Sequence, residues 1–255
     1  MRRFAVSSWS LDGALGGGLP LIDLPAQLAE HGVSALELCH FHLPTNAPDY
    51  LAQLRAALAG AGVELYSLLI DTGDITAPDP ARRAADIEFI RVQIGVAAAL
   101  GARQVRIDAG LQPPTAAAVD ISARELHALA QHASGQGVRT ITENWHATSQ
   151  DPAALLTILD RCAGLVGLCA DTGNAEPTPD KYATLAQLLP RASSVHFKPR
   201  ADAAGAYDTA DLARCCELID GARFDGIVTL IYGGKLNEWA EIERLRAALA
   251  PLGAA

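Results

Sequence analysis

Eight short runs of apolar and β-branched residues recur along the chain with helical stretches between them. This alternation restricts the fold more than any single motif. The runs are FAVSS (4–8), ALELCH (35–40), VELYSLLID (63–71), QVRIDAG (104–110), RTITEN (139–144), LVGLCAD (165–171), SSVHFK (193–198) and GIVTLI (226–231). Runs this continuously apolar suit strands that are covered on both faces, as in a parallel sheet. Ala- and Leu-rich segments of helical period lie between them, including 24–32, 50–62, 81–102, 126–137 and 238–253. Several close on Gly, a frequent helix C-terminal residue.

The expected fold is α/β, a single (β/α)8 barrel spanning residues 1–255. From Glu37 the strand ends step through Asp71, Asp108, Glu143, Asp171, His196 and Ile231, roughly every 25 to 37 residues, and a barrel of this kind takes about 250 in all. No linker composition divides the chain. A doubly wound open sheet is the alternative, but no GxGxxG follows a strand. Gly16-Gly17-Gly18 lacks that spacing and reads as a flexible first loop.

Composition narrows the function. The net charge is −9 and no basic block occurs, which argues against nucleic acid as a partner while leaving small anionic substrates open. Cysteines 39, 162, 169, 215 and 216 form an odd set without a CxxC pair, suited to a reducing cytoplasm. The N-terminal MRRFAVSSWSLDGAL carries Asp12 within a broken apolar run and reads as a first strand, not a signal peptide. No apolar run approaches the roughly 20 residues of a membrane helix.

In a barrel the C-terminal strand ends share one mouth, where chemistry sits. That places Ser7 and Ser8, Glu37, His40 and His42, Asp71, Asp108, Glu143, Asn144 and His146, Asp171 and Asn174, and His196 and Lys198 around one opening. Buried carboxylates are costly unless paired or ligating, so several at one mouth suggest a cation among them. Taken singly, each has a plainer reading. Asp171 before TGN can cap a helix. Asp71 and Asp108 suit loop or cap roles, and His40 and His42 suit a polar loop pair. His31, His127 and His132 fall in helices and read as solvated surface. Trp9 suits the core, where a Trp is common.

The succession ITEN, CADTGN and VHFKP resembles the xylose isomerase-like TIM barrels over nearly the whole chain. This group of sugar isomerases and epimerases also includes the endonuclease IV type of DNA-repair enzyme. The resemblance implies one divalent metal ion (Mn²⁺, Mg²⁺ or Zn²⁺) on Glu143, Asp171 and His196. The family's fourth ligand, a Glu after strand eight, falls at or near Ile231. In epimerase-type members the two glutamates also exchange protons with the substrate, so the chain departs from the pattern at a position that matters twice.

The expected function is a metal-dependent isomerase or epimerase acting on a sugar, polyol or keto acid beside a polarised carbonyl. Glu143 is the base, and His42 or Lys198 the acid, with His40 and Tyr232 as further candidates. Trp9, His40, Asp108, Asn144, His146 and Asn174 are expected to contact substrate. Asp108 and Glu238 are candidates to fill the gap left by Ile231. Two other readings stay open: a small-molecule-binding barrel that has lost catalysis, and a dehydratase or lyase. The expected location is cytoplasmic, with no membrane and no nucleic acid. A homodimer suits such barrels, although the sequence shows no interface stripe.

Overall fold

Residues 3–202, 205–234 and 237–249 are described by the computed structural model. Eight parallel strands close a barrel in sequence order: β1 (Phe4–Ser7), β2 (Ala35–Cys39), β3 (Glu64–Ile70), β4 (Gln104–Ile107), β5 (Arg139–Glu143), β6 (Val166–Asp171), β7 (Ala192–Phe197) and β8 (Ile227–Leu230). The ring closes where β1 pairs with β8, Phe4 opposite Val228 and Val6 opposite Leu230. The hydroxyl of Ser10 bridges that seam, donating to the Leu230 carbonyl at 3.0 Å and accepting from the Tyr232 N–H at 2.8 Å.

Alternation along each strand separates two interiors. Val6, Leu36, Leu38, Leu68, Val105, Leu168, Val195, Phe197 and Leu230 point outward and join the helices in one large apolar cluster. Ala5, Ala35, Tyr66 and Ile227 form a second, small cluster near the N-terminal ends of their strands. Above this plug the inward positions turn polar, with Glu37, Arg106, Glu143 and His196 all buried.

The observed helices extend the sequence reading. The expected helix at 126–137 begins earlier, as Ala116–Ser134, because Thr115 caps it by accepting from the Ala118 N–H at 3.2 Å. The helix Pro80–Leu100 is capped by Asp79 and ends on Gly101 at φ 78°. The glycine run is partly helical, since Asp12–Gly16 forms a short helix. His31 is not simply solvated: its ring stacks on Trp239 with centroids 3.9 Å apart.

Two loops at the mouth are tied together by Asp74. Its carboxylate accepts from the Thr76 N–H and hydroxyl after β3, and from the Leu111 N–H and Gln112 side chain after β4. Thr76 packs so closely on Gly110 (φ 124°) that a Cβ there would lie 2.3 Å from its hydroxyl oxygen. This clamp fixes the strand ends that carry Asp71 and Asp108.

Candidate active site

The mouth of the barrel holds a pocket lined by Trp9, Phe41, Asp71, Arg106, Glu143 and Asn174, together with Asp171, His196, Lys198 and Ile231. Strand register brings the floor residues together. Glu143 lies opposite Cys169 and Asp171 opposite His196, so three neighbouring strands deliver their polar side chains side by side.

His196 is the hub. Its Nε2 lies 2.6 Å from Glu37 Oε2, and its Nδ1 lies 3.4 Å from Glu143 Oε1 and 3.5 Å from Asp171 Oδ2. Burial alone would depress the imidazolium. The negative charges of Glu37 and Glu143, with the Asp171 hydrogen bond, outweigh it and hold the ring well above its ordinary range. Asp171 serves two purposes. Its Oδ1 accepts the N–H groups of Gly173 and Asn174 at 2.6 and 2.7 Å within a turn, the cap of the next helix falling to Asp180, while Oδ2 faces His196.

Arg106 was not among the sequence candidates, yet it organises the other half of the floor. Its guanidinium is 3% exposed and bonds both Asp71 and Asp108, with Nε 3.3 Å from Glu143 Oε2. Burial opposes its charge, but Asp71, Asp108 and Glu143 raise its pKa further. The ring of Trp145 covers it at 5.0 Å. The signal was present in VRID: an Arg two residues before an Asp on one strand face needs anionic neighbours. Glu143 is thus held from two sides, by Arg106 and by the Asn174 amide, which donates to Oε1 at 2.7 Å.

Several expected contacts lie elsewhere. Asn144 makes a two-way clasp with the Asp171 backbone, accepting from its N–H at 2.7 Å and donating to its carbonyl at 3.0 Å, and is buried. His42 does not line this pocket, because its ring is held between Ser8 at 2.8 Å and Asp12 at 3.0 Å. His40 Nδ1 accepts the Asp71 N–H at 3.2 Å, and burial holds the ring below its ordinary pKa. His146 stacks on Trp145 and lies 3.5 Å from Asp108. Asp108 sits behind the floor, its pKa pushed up to about 7 by burial against the pull of Arg106.

Neither candidate fills the gap left by Ile231, which is 6% exposed in the pocket wall. Asp108 is committed to Arg106. Glu238 instead caps the helix Asp12–Gly16, accepting the N–H groups of Gly13 and Ala14 at 2.6 and 3.0 Å. Lys198 lies beside Ile231, since Ile231 N–H donates to the Phe197 carbonyl at 3.1 Å. The Lys198 stem runs over Gly173, where a Cβ would come within 2.7 Å of it. At the rim, Trp9 and Phe41 are 47% and 46% exposed and meet edge to face.

The floor suits a divalent cation. A tetrahedral ion with ligands at about 2.1 Å sets neighbouring donors roughly 3.4 Å apart, close to the two spacings around His196 Nδ1. The carboxylate behind the imidazole is the usual partner of a ligating His, and Glu37 Oε1 is buried without a hydrogen bond. Glu143, Cys169 and His196 present donor atoms within 4.8 Å of one another, whereas Asp171 is close to His196 without belonging to that tighter group. No described helix is long and apolar enough to cross a membrane.

A family model for xylose isomerase-like TIM barrels matches residues 25–249. No curated protein sequence matches the chain. Among solved structures, an L-ribulose 3-epimerase superposes with TM-score 0.77 at 16% identity, covering 99% of this chain and 94% of its own. The probable 3-DHS dehydratase AsbF from Bacillus anthracis gives 0.75 at 15%, covering 95% and 98%. A xylose isomerase-like TIM barrel protein from Mycobacterium smegmatis, in complex with magnesium, gives 0.69 at 16%, covering 99% and 97%. At these identities the likeness is one of fold.

Proposed function

We propose that this chain, which belongs to the xylose isomerase-like TIM barrel family, is a sugar isomerase or epimerase that moves a proton next to a carbonyl with Glu143 as base. The observation that carries this reading is the cluster of Glu143, Asp171 and His196 on the pocket floor, beneath an open mouth rimmed by aromatic residues. Glu143, Asp171 and His196 would hold a divalent metal, whose chemistry when bound is to polarise the substrate carbonyl.

The residues then divide the work. Asn174 and Arg106 fix the Glu143 carboxylate from opposite sides, so that it meets a C–H in one orientation. Lys198 reaches the pocket, and its ammonium has no hydrogen-bond or ion-pair partner among the described residues. It is the available acid for an oxygen that gains charge. Trp9 and Phe41 offer apolar faces to a sugar ring. Ile231 can neither accept nor donate a proton, so no transfer runs through that position. This favours chemistry on one substrate face, with Glu143 returning the proton to the adjacent carbon. Inversion at a single carbon would require Lys198 as the second group.

Ile231 also supports a second reading, dehydration, which needs one base and one acid. The experiment is to incubate the protein with ketoses, aldoses and polyol acids in D2O with Zn²⁺, Mn²⁺ or Mg²⁺, and to follow products and deuterium incorporation by NMR. The expected result is conversion of one class with deuterium at the reacting carbon, and a loss of at least about 100-fold in Glu143→Gln. Thermal stabilisation by these compounds without exchange or conversion would favour the binding-only barrel. Loss of water from a polyol acid would favour the dehydratase.

A further inference from the structure

We infer that Cys169 is a metal ligand, supplying from β6 the anionic donor that the family places after β8, and that the site is therefore selective for zinc over magnesium or manganese. The inference rests on the metal-binding reading of Glu143, Asp171 and His196 and goes beyond it.

Position makes the thiol available. Cys169 and Asp171 are two residues apart on β6, so both side chains face the barrel interior. Cys169 lies opposite Glu143 in the strand register, and its donor atom falls within 4.8 Å of those of Glu143 and His196. The thiol is fully buried, one layer below the pocket wall.

Chemistry explains why a thiol can replace the missing carboxylate. A metal bound by Glu143, Asp171 and His196 alone has three protein ligands, and Ile231 offers none. A coordinated thiol is deprotonated outright, so binding forms a metal–sulfur bond and releases the thiol proton to solvent. The result is a second anionic ligand from the same strand. Thiolate is a soft donor, suited to zinc and poorly matched to Mg²⁺ or Mn²⁺, which prefer oxygen. The other buried thiol near the site, Cys39, lines the opposite wall beside Asp71 and lies outside the tight donor group.

Cobalt(II) is the probe, because a cobalt–thiolate bond gives a charge-transfer band in the near ultraviolet that oxygen and nitrogen ligands do not. Apo-protein is titrated with Co²⁺ and then with Zn²⁺, comparing wild type, Cys169→Ser and Cys39→Ser. Wild type should show the band at one equivalent, Zn²⁺ should abolish it, Cys39→Ser should retain it, and Cys169→Ser should lose it. Zinc affinity should fall by at least about 10-fold in Cys169→Ser. X-ray absorption on the wild-type zinc form should show sulfur at about 2.3 Å, and it stands even if the serine variant fails to fold. Cobalt uptake with only visible d–d bands would overturn Cys169 as a ligand while leaving the oxygen and nitrogen site intact. A band lost in Cys39→Ser would overturn the assignment as well. No cobalt uptake at all would overturn both this inference and the metal-binding reading.

Discussion

Glu37 Oε2 lies 2.6 Å from His196 Nε2, a buried contact between residues 159 positions apart in sequence. It joins β2 to β7 across the barrel interior. The contact occupies one imidazole nitrogen and leaves Nδ1 facing Glu143 and Asp171. The orientation of the hub is thus set from the far side of the barrel.

Glu37→Gln should weaken divalent metal binding by about 10- to 100-fold, the usual effect of losing the carboxylate behind a ligating His. An amide in that place no longer supports the imidazole with a negative charge. Titration calorimetry with Zn²⁺ measures the change. Equal affinity in wild type and variant would separate Glu37 from the metal site.

Ile231→Glu should raise metal affinity, because it adds a carboxylate to the pocket wall at or near the place where the resemblance implies the family's fourth ligand. Glu143→Gln, titrated alongside, should lower it. The same calorimetric experiment reads both. Unchanged affinity in the two variants would place the metal elsewhere.

Arg106→Met should destabilise the fold by about 3–5 kcal/mol, since it leaves buried carboxylates without their shared cation. Asp71, Asp108 and Glu143 would then face one another across the floor. Urea denaturation gives the difference. A second substitution, Asp108→Asn, should recover part of the loss by removing one of the stranded charges.

Asp211 sets an acid limb of stability away from the pocket. Its carboxylate accepts from Lys181 Nζ at 2.6 Å, the Tyr182 hydroxyl at 3.0 Å and the Arg200 N–H at 3.0 Å. Burial would raise its pKa, but these donors hold it below the ordinary carboxylate range. The stabilisation is therefore full above about pH 4 and is lost as pH falls through the folded-state value. Asp211→Asn should be less stable than wild type at neutral pH, with the gap narrowing in acid. Thermal melts across the range pH 3 to 7, roughly spanning the titration, test the sign.

The barrel was legible because its strands are short, largely apolar or β-branched runs, and such runs stand out against helical segments such as 81–102. The positions of Trp9, Glu143, Asp171, Asn174, His196 and Lys198 around one pocket follow from that, since strand ends converge wherever a parallel barrel closes. Side-chain direction did not follow. Asn144 immediately succeeds Glu143, yet it faces the Asp171 backbone and not the pocket. His42 belongs to a turn whose partners, Ser8 and Asp12, lie on a different strand's loop. Arg106 escaped notice because only Asp108 is a local partner, two residues on in VRID, while Asp71 and Glu143 come from the neighbouring strands.

The Ser10 hydroxyl between Leu230 and Tyr232 has a consequence for the order in which the chain assembles. Its two hydrogen bonds span 220 and 222 residues, almost the whole described chain. Contacts of that range form only after intervening units have shortened the effective loop. The seam should therefore be absent from the rate-limiting step of folding. Ser10→Ala should then accelerate unfolding while leaving the refolding rate nearly unchanged, so that one hydroxyl acts as a kinetic latch on a barrel whose remaining ladders are already formed.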